Sequence, residues 1–323
     1  LSGTAVRDTL VPTARYVGLS TLGNPATHLM SNGSYSVMLT AAGGGYSSWK
    51  GLALTRWRED CVADDWGSFF FLHDLKSGKI WSAGLVPGGF RPDKYSASFT
   101  EDKAEIVRAD GSFATSLEVV VSPEDDVEVR RVTVTNSSLG ARDVELTSYA
   151  ELVLASQAAD IAHPAFSKMF VQTEFIPELE TLVATRRRRG PGEREVWIAQ
   201  FMLTDGAAAG ALEFATDRSK FIGIGNDRRS PSAMRVSDPL SNTRGATLDP
   251  IFSFRRRIRI PAGRQASFTL WTAAASTREG VLDLVYRHRQ AAAYERALTL
   301  SWTQAQIQLR HLSINHDEAH LFQ

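Results

Sequence analysis

The residues best suited to chemistry lie between Leu54 and Pro87, where tryptophans are interspersed with charged side chains in the sequence LTRWREDCVADDWGSFFFLHDLKSGKIWSAGLVP. Sugar rings stack on aromatic faces, and their hydroxyl groups need charged or amide hydrogen-bond partners. The segment therefore indicates carbohydrate binding. The candidate contacts are Trp57, Arg58, Asp60 and Trp66. The alternative is a β-hairpin with core aromatics and solvated charges, since tryptophan is largely buried in most proteins.

A second group of candidates lies in the segment Asp160–Phe166, which separates two strand-like stretches, Tyr149–Leu154 and Met169–Glu174. A histidine and a phenylalanine on a loop can form part of a ligand site, because loops held by a rigid scaffold often carry function. His163 and Phe166 are therefore candidate ligand contacts. The alternative is that Phe166 only packs the loop against the protein.

Other motifs do not support catalysis or metal binding. His316 and His320 stand four residues apart, but a zinc-protease helix needs glutamate directly after the first histidine, and Asp317 stands there. Gly43-Gly44-Gly45 lacks the Lys-Ser/Thr of a phosphate loop, so it predicts a turn or a close backbone approach. No nucleophile with a base and no acid–base pair of carboxylates is visible from spacing. We therefore predict no catalytic residue, no metal and no cofactor.

The composition is that of an ordinary globular protein. Of 323 residues, 43% are hydrophobic and 22% are charged, and 36 basic residues balance 36 acidic ones. A neutral chain is poorly suited to nucleic acid or an anionic membrane, so Arg186–Arg189 predicts a solvated hairpin end. A lone cysteine, Cys61, excludes an internal disulfide framework and fits a reducing compartment. No apolar run approaches the roughly 20 residues that cross a bilayer.

From about residue 32 to 272 the chain has the pattern of short strands separated by turns. Asn32-Gly33, Lys76–Lys79 and Pro123–Asp126 predict hairpins. In Val127–Thr135 the apolar phase slips, which predicts a strand that is either bulged or buried on both faces. Because no helix alternates regularly with the strands, the pattern predicts a mainly β fold built as a large antiparallel sandwich.

The clearest alternation lies in Phe252–Ile260, where four apolar residues share one face and three arginines share the other. The arginines are Arg255, Arg257 and Arg259. Period-two alternation normally produces a solvated outer face. The alternative is that this face contacts another domain.

The pattern changes after residue 273. Ser276 and Glu279 form a capping box, and an apolar stripe from Tyr294 to Leu312 predicts one continuous helix. Asn315 and Glu318 are a second capping signature, with a helix expected from His316.

We divide the chain into a sandwich domain, residues 1–272, and a helical linker, residues 273–323. Since the ends lack start and stop signals, we expect a piece of a longer polypeptide whose linker helices pack on a further domain after Gln323.

Taken in order, several segments resemble the amino-terminal part of family 94 glycoside phosphorylases, which include cellobiose and chitobiose phosphorylases. The matching segments are Asn32–Val37, Gly43–Trp49, Leu54–Asp60, Asp65–Asp74, Val132–Ser137, Thr216–Gly223 and Leu248–Ile251. With His163–Phe166 and Leu309–Leu312 included, the chain is similar to the corresponding part of cyclic β-1,2-glucan synthases. The resemblance runs from about residue 16 to the end.

The resemblance implies a β-supersandwich of the galactose-mutarotase-like kind, then linker helices, then an (α/α)6 barrel. The barrel would carry the catalytic acid and most phosphate and sugar contacts, and we expect it to lie outside this chain. Family members phosphorolyse β-glucosidic bonds, so inorganic phosphate would be a substrate of the parent enzyme. In the synthase such a module acts beside a membrane-embedded region, which implies an inner-membrane parent with this domain on the cytoplasmic side.

The resemblance also implies partners. Family members often form homodimers through the sandwich, and a loop corresponding to Ala159–Phe166 can approach the active site of the neighbouring subunit. That role carries over to Asp160, His163 and Phe166. The expected partners are a β-glucan oligosaccharide, the barrel of the parent chain and a second copy, with no nucleic acid and no membrane span.

The leading hypothesis is a non-catalytic carbohydrate-binding and interface domain of a β-1,2-glucan-processing enzyme. One alternative is a free-standing sugar-binding module. A second is an aldose epimerase on the same sandwich, which needs His73 or His163 to meet a carboxylate. A third is a purely structural domain that dimerises and holds the barrel.

Overall fold

The computed structural model describes residues 14–21, 26–60, 62–88, 91–190, 192–235, 238–315 and 318–319, so Cys61 and the histidine motif's His316, Asp317 and His320 lie outside it. The described residues form twenty strands and five α-helices. In chain order the strands are β1 (Arg15–Gly18), β2 (Thr27–Ser31), β3 (Tyr35–Thr40), β4 (Gly45–Trp49), β5 (Leu52–Thr55), β6 (Ser68–Asp74), β7 (Lys79–Ser82), β8 (Lys94–Phe99), β9 (Ala104–Asp110), β10 (Phe113–Val121), β11 (Val127–Asn136), β12 (Arg142–Ala155), β13 (Val171–Ile176), β14 (Thr181–Arg186), β15 (Trp197–Asp205), β16 (Ala207–Ala208), β17 (Glu213–Asp217), β18 (Gly245–Ala246), β19 (Pro250–Ile260) and β20 (Gln265–Ala275). The helices are α1 (Gln157–Ala162), α2 (Pro164–Lys168), α3 (Arg218–Ile222), α4 (Arg278–His288) and α5 (Ala293–Leu312).

The strands form two large sheets that confirm the predicted mainly β, antiparallel sandwich. The first sheet has the order β1-β8-β9-β10-β11-β20-β15-β14-β13-β18. The second has the order β16-β19-β12-β5-β4-β3-β2, with β17 paired to β19 and the β6–β7 hairpin paired to β12. Apolar residues from both sheets form the main core, as expected when two sheets pack face to face.

The predicted hairpins are present. Gly78 has a φ of 72° in the turn between β6 and β7, a conformation that glycine adopts without strain. Pro123–Asp126 connects β10 to β11, which pair in continuous register. Strand β11 therefore has no bulge in this pairing, and Val127, Glu128, Val129 and Arg130 are all buried. Of the two alternatives for this strand, burial on both faces is correct.

The arginine face of β19 divides into a buried part and an exposed part. Arg255 is buried, and its guanidinium lies 3.3 Å from Glu145 and donates to the carbonyl of Ala233 at 2.6 Å. The side chains of Arg257 and Arg259 are 46% and 64% exposed. Arg255 thus binds its own chain, whereas the other two arginines form the solvated face that period-two alternation predicts.

The two terminal helices, α4 and α5, pack on the sandwich itself, whereas we expected them to pack on a further domain. Val281, Leu284 and Val285 of α4 are buried in a second core, against the outer face of the first sheet. That core includes Trp271 and Phe201, which point away from the core between the sheets. The outer face of β11, β15 and β20 is apolar, so it must be covered. The chain covers it with its own helices.

The predicted N-cap of α4, Ser276, is one residue before the observed one. The N-cap of α4 is Thr277, whose hydroxyl accepts from the backbone N–H of Gly280, and Ser276 lies before it. The second signature is confirmed, because Asn315 and Glu318 exchange side-chain-to-backbone hydrogen bonds of 2.8 Å. The apolar stripe forms the single helix α5, in which Tyr294 and Leu309 are buried while Trp302 is 44% exposed.

The triple glycine makes close backbone approaches, one of the two predicted alternatives. A Cβ on Gly45 would lie 1.9 Å from the carbonyl oxygen of Met38. A Cβ on Gly44 would lie 2.3 Å from a carboxyl oxygen of Asp64, whose other oxygen accepts from the Thr40 hydroxyl. Burial raises the pKa of Asp64 to about 6. The hydrogen bond from Thr40 acts in the opposite direction, and the nearby charge of Asp65 adds to the increase.

We predict that Asp64→Asn removes a pH-dependent loss of stability. A carboxyl whose folded pKa lies above its unfolded value stabilises the fold below the unfolded pKa and loses that contribution as pH rises through about 6. Between about pH 4 and pH 7, the free energy of unfolding of the wild type should fall by about 1–2 kcal/mol more than that of the variant, allowing for solvent screening. Urea unfolding across this range measures the difference. Asp283→Asn, exposed on α4, is the control, and equal pH profiles for wild type and Asp64→Asn would refute the prediction.

Candidate functional site

The guanidinium of Arg56 is the centre of a buried ion network. Arg56 is 3% exposed and directly follows β5. One of its terminal nitrogens lies 2.8 Å from Glu151 and 3.5 Å from Asp249, and the other lies 3.1 Å from Asp160. A buried charge requires such compensation because removal from water is costly.

Different elements supply the partners of Arg56. Glu151 lies in β12, Asp160 in α1, and Asp249 directly before β19. Arg218, the first residue of α3, donates to Glu151 at 2.9 Å. Lys168 at the end of α2 donates to Asp249 at 2.7 Å. The network therefore ties strands of the second sheet to the segments that run over them.

The positive charges of the network keep the carboxylate of Glu151 ionised. Burial alone would raise the pKa of Glu151, but the charges of Arg218, Arg56 and Arg228 outweigh it and lower that pKa. Burial likewise acts to lower the pKa of Arg56, yet its bonds to Asp160 and Glu151 raise it. These residues hold their charges at neutral pH, as a preorganised site requires.

A groove of about 190 Å³ lies over this network. The rings of Tyr46 and Trp57 meet at its wall with centroids 5.7 Å apart and planes tilted by 55°. Arg58 lies beside them and forms an ion pair with Asp160, so one carboxylate holds both Arg56 and Arg58. Ser48 and Gln157 add a hydroxyl and an amide.

The groove combines the groups that hydroxyl-rich ligands need. Half-buried aromatic faces supply apolar contact, and a guanidinium held in place by Asp160 supplies donors in a fixed direction. The amide of Gln157 both donates and accepts. Three of the predicted contacts, Trp57, Arg58 and Asp160, therefore line one groove.

Trp66 lies close to the network and outside the groove lining. The guanidinium carbon of Arg228 is 3.6 Å from its ring centroid and that of Arg58 is 5.7 Å away. The Nε of Arg228 is also 3.7 Å from Glu151. Trp66 therefore supports the arginines beside the groove through cation–π contacts.

The other three predicted site residues do not line the groove. Asp60 is exposed, and its carboxylate accepts from the backbone N–H groups of Val62 and Ala63, which lowers its pKa. His163 is exposed at the junction of α1 and α2. Phe166 is 48% exposed and packs edge-on against Phe170, with ring centroids 5.0 Å apart.

Reasoning from the sequence missed residues that organise the site. They are Tyr46, Arg56, Glu151, Arg218, Arg228 and Asp249. Glu151 could have been found, because it is a charged residue within the apolar stretch YAELVLA of a long strand. Arg56, Arg218 and Asp249 each lie in a segment that carries the family resemblance, and those distant segments converge here.

The structure places the two histidines of the epimerase hypothesis in different settings. His73 lies on β6 opposite Glu145 of β12, and burial lowers its pKa. Glu145 is held by ion pairs with Arg255 and Arg257. His163 is exposed. Within the described ranges, no group of three or more metal-ligating side chains occurs, and no helix has the length and apolarity to cross a membrane.

We predict that Arg56→Met lowers the free energy of unfolding by about 3–5 kcal/mol, because it removes the buried guanidinium that Glu151 and Asp160 share and leaves their buried charges only partly compensated. Urea unfolding followed by circular dichroism measures the loss. The matched control is Arg278→Met, which removes the exposed ion pair with Glu174 and should cost about 1 kcal/mol or less. Similar losses for both variants would show that the network does not stabilise the fold.

Comparison with known proteins identifies relatives of the chain. The glycosyl hydrolase 94 supersandwich domain model matches residues 15–291. The cyclic beta-(1,2)-glucan synthase NdvB of Rhizobium meliloti (strain 1021) is 40% identical over 321 residues, which are 99% of this chain and 11% of the synthase. Solabiose phosphorylase of Paenibacillus borealis is 26% identical over 211 residues, 64% of this chain and 26% of the phosphorylase. A bacterial glucoamylase complexed with acarbose has a TM-score of 0.49 at 9% identity, over 90% of this chain and 40% of the glucoamylase.

These matches confirm the resemblance that the ordered motifs indicate. The chain spans only 11% and 26% of the two curated relatives, so it corresponds to a part of each. The family match covers the strands of both sheets together with α4. The chain belongs to the glycosyl hydrolase 94 supersandwich domain family.

Proposed function

We propose that this chain is a non-catalytic carbohydrate-binding and interface domain of a β-1,2-glucan-processing enzyme. The groove of Tyr46, Trp57 and Arg58 carries the proposal, because it presents aromatic faces beside fixed hydrogen-bond donors. The similarity to a cyclic beta-(1,2)-glucan synthase supports β-1,2-glucan as the ligand.

The state of the nearby carboxylates supports a non-catalytic role. Asp160 is 1% exposed and is bound by Arg56 and Arg58. Glu151 accepts from the Tyr149 hydroxyl and from Arg56 and Arg218, which occupy its oxygens. A general acid needs a raised pKa and access to the leaving oxygen, whereas the pKa of Glu151 is lowered. The groove is suited to holding a sugar and lacks an available proton donor among these two carboxylates.

The catalytic part of the enzyme is proposed to be a barrel elsewhere in a longer chain. The relatives support this division, because this chain matches only a fraction of each. Inorganic phosphate would then be a substrate of the whole enzyme, and the domain itself would need no cofactor. The single cysteine supports placement of the domain on the cytoplasmic side of the inner membrane.

The α1–α2 segment supports the interface role. Ile161, Phe166 and Met169 are 56%, 48% and 59% exposed, so three large apolar side chains face solvent within nine residues of sequence. Exposed apolar patches mark interaction sites. Asp160 anchors the same segment from below through Arg56, which keeps the patch in place. We propose a second copy of the chain as its partner, with His163 in the contact.

Isothermal titration with a β-1,2-linked glucose oligosaccharide tests the sugar-binding role. We expect wild-type binding in the millimolar range or tighter, and Trp57→Ala should weaken it about tenfold, since a lost aromatic stack is worth about 1.4 kcal/mol. Trp302→Ala, which removes an exposed tryptophan of α5, is the control and should bind as the wild type does. A flat wild-type titration, or release of glucose 1-phosphate from glucan and phosphate by this chain, would refute the proposal.

Light scattering tests the interface role. We expect the wild type to dimerise with rising concentration and the double variant Ile161→Ser, Met169→Ser to remain monomeric, because it removes apolar area from the patch. Leu139→Ser, at an exposed turn between β11 and β12, is the matched control and should still dimerise. A monomeric wild type, or an unchanged dimer of the double variant, would exclude this interface.

A further inference from the structure

A pocket of about 170 Å³ lies between the end of β12 and the hairpin that joins β14 to β15. Leu154, Ala155 and Ser156 line one side of it. The hairpin lines the other side with four arginines, which are Arg186, Arg188, Arg189 and Arg194. This arginine pocket shares no lining residue with the groove of Tyr46 and Trp57. It is therefore a separate feature of the surface.

Two cations of the arginine pocket, Arg186 and Arg194, have no carboxylate within 4.0 Å among the residues that the structure describes. Arg186 is 7% exposed, and its Nη1 donates to the carbonyl and hydroxyl oxygens of Ser167 at 3.1 and 3.4 Å. Its Nε and Nη2 have no acceptor in the same part of the chain, and neither nitrogen is enclosed by protein. Arg194 is exposed and donates to the carbonyl of Lys50. Neutral acceptors leave both positive charges unbalanced.

Positive charges outnumber negative ones in the pocket. Among its described lining residues, Glu193 is the one acidic side chain. Arg189 already binds that carboxylate twice, through its backbone N–H at 2.8 Å and its Nε at 2.7 Å. Arg188 lies 3.5 Å from Glu195, outside the lining. An anion could therefore pair with Arg186 without displacing either carboxylate.

Three guanidinium groups gather around one aromatic ring at this pocket. The guanidinium carbons of Arg186, Arg187 and Arg189 lie 5.2, 5.5 and 5.8 Å from the ring centroid of Phe170. Cation–π attraction orients each group but keeps like charges close together. Burial lowers the pKa of Arg186, and the charge of Arg189 adds to this effect while that of Glu193 opposes it. A bound anion would relieve the repulsion between these cations.

The other wall of the pocket has a strained backbone. Leu154 has a φ of 55°, a left-handed conformation that is rare for a bulky side chain. The pairing of β12 with β5 also shifts register between Leu152 and Ala155. Bulges and strained residues cluster beside ligand sites, where they set the direction of the chain. The irregular end of β12 is thus in the position expected if the pocket binds a ligand.

We propose that the arginine pocket binds a phosphoryl group, carried by inorganic phosphate or by a phosphate monoester. Planar guanidinium groups bind the several oxygens of a phosphoryl group in paired hydrogen bonds. Arg186 donates to it from the buried side, and Arg188 and Arg194 donate from the exposed side. The site takes a charged ligand, so it goes beyond the proposed function, in which the groove binds neutral sugar.

Titration of the ¹⁵N-labelled full chain with sodium phosphate at constant ionic strength tests the site by NMR. The backbone N–H resonance of Arg194 and the Nε–H resonance of Arg186 should shift along one saturable curve. Arg186→Lys and Arg188→Gln should each weaken binding about five- to tenfold, since each removes charge-assisted hydrogen bonds. Arg259→Gln, at an exposed position of β19 outside the pocket, is the matched control and should bind as the wild type does.

Further titrations identify the source of the phosphoryl group. Tighter binding of glucose 6-phosphate than of phosphate would support a monoester, and the reverse would support the free ion. Equal shifts with sodium acetate in place of phosphate would overturn the proposal, because they would show only general attraction of anions. Phosphate binding that survives both Arg186→Lys and Arg188→Gln would also overturn it. Arg188→Gln, at a side chain that is 51% exposed, keeps the test decisive if Arg186→Lys fails to fold.

These outcomes are separate from those of the groove. The groove is tested with a neutral glucan through Trp57, which does not line the arginine pocket. A chain that binds phosphate and gives a flat glucan titration would keep this site and lose the proposed sugar-binding role. A chain that binds glucan and shows no phosphate shift would do the opposite.

Discussion

The burial of one positive charge, on Arg56, constrains the architecture around the groove. A guanidinium removed from water must have carboxylates at close range, and these come from positions 95, 104 and 193 residues further along the chain. The strand that carries Glu151, the helix that carries Asp160 and the segment that carries Asp249 must therefore meet at one point. Apolar burial alone would tolerate small shifts of these segments, whereas paired charges with directional hydrogen bonds allow one arrangement.

That arrangement fixes the groove. Asp160 binds Arg56 below and Arg58 above, so the position of the groove's donor follows from the position of the buried charge. Trp66 adds a second restraint, since Arg228 and Arg58 both lie over its ring. The same ion pairs that hold the groove occupy its carboxylates. Rigid positioning and freedom to transfer a proton are thus in competition here, and the network favours positioning.

Much of the sandwich could be predicted from sequence because its determinants are local. Alternation in β19 and the glycine at 78 specify a strand and a turn without reference to distant residues. The ion network could not be predicted, because nothing local determines which carboxylate Arg56 meets. Trp57, Arg58 and Asp160 were found by residue type and by resemblance, and only the fold brings them together.

The position of α4 and α5 was not predicted for the same reason: local sequence does not determine which distant surface an element contacts. In this case, however, the sequence of another element indicated that surface. An amphipathic stripe such as that of α5 shows that one face is buried and leaves open which surface covers it. Strand β11 indicated that the first sheet has a second apolar face. Its apolar phase slip means that Val127 and Val129 face away from the main core while Val132 and Val134 face into it. A strand that is apolar on both faces needs a cover on each side. In a two-sheet sandwich the second cover must come from another element, and α4 and α5 come directly after the last strand.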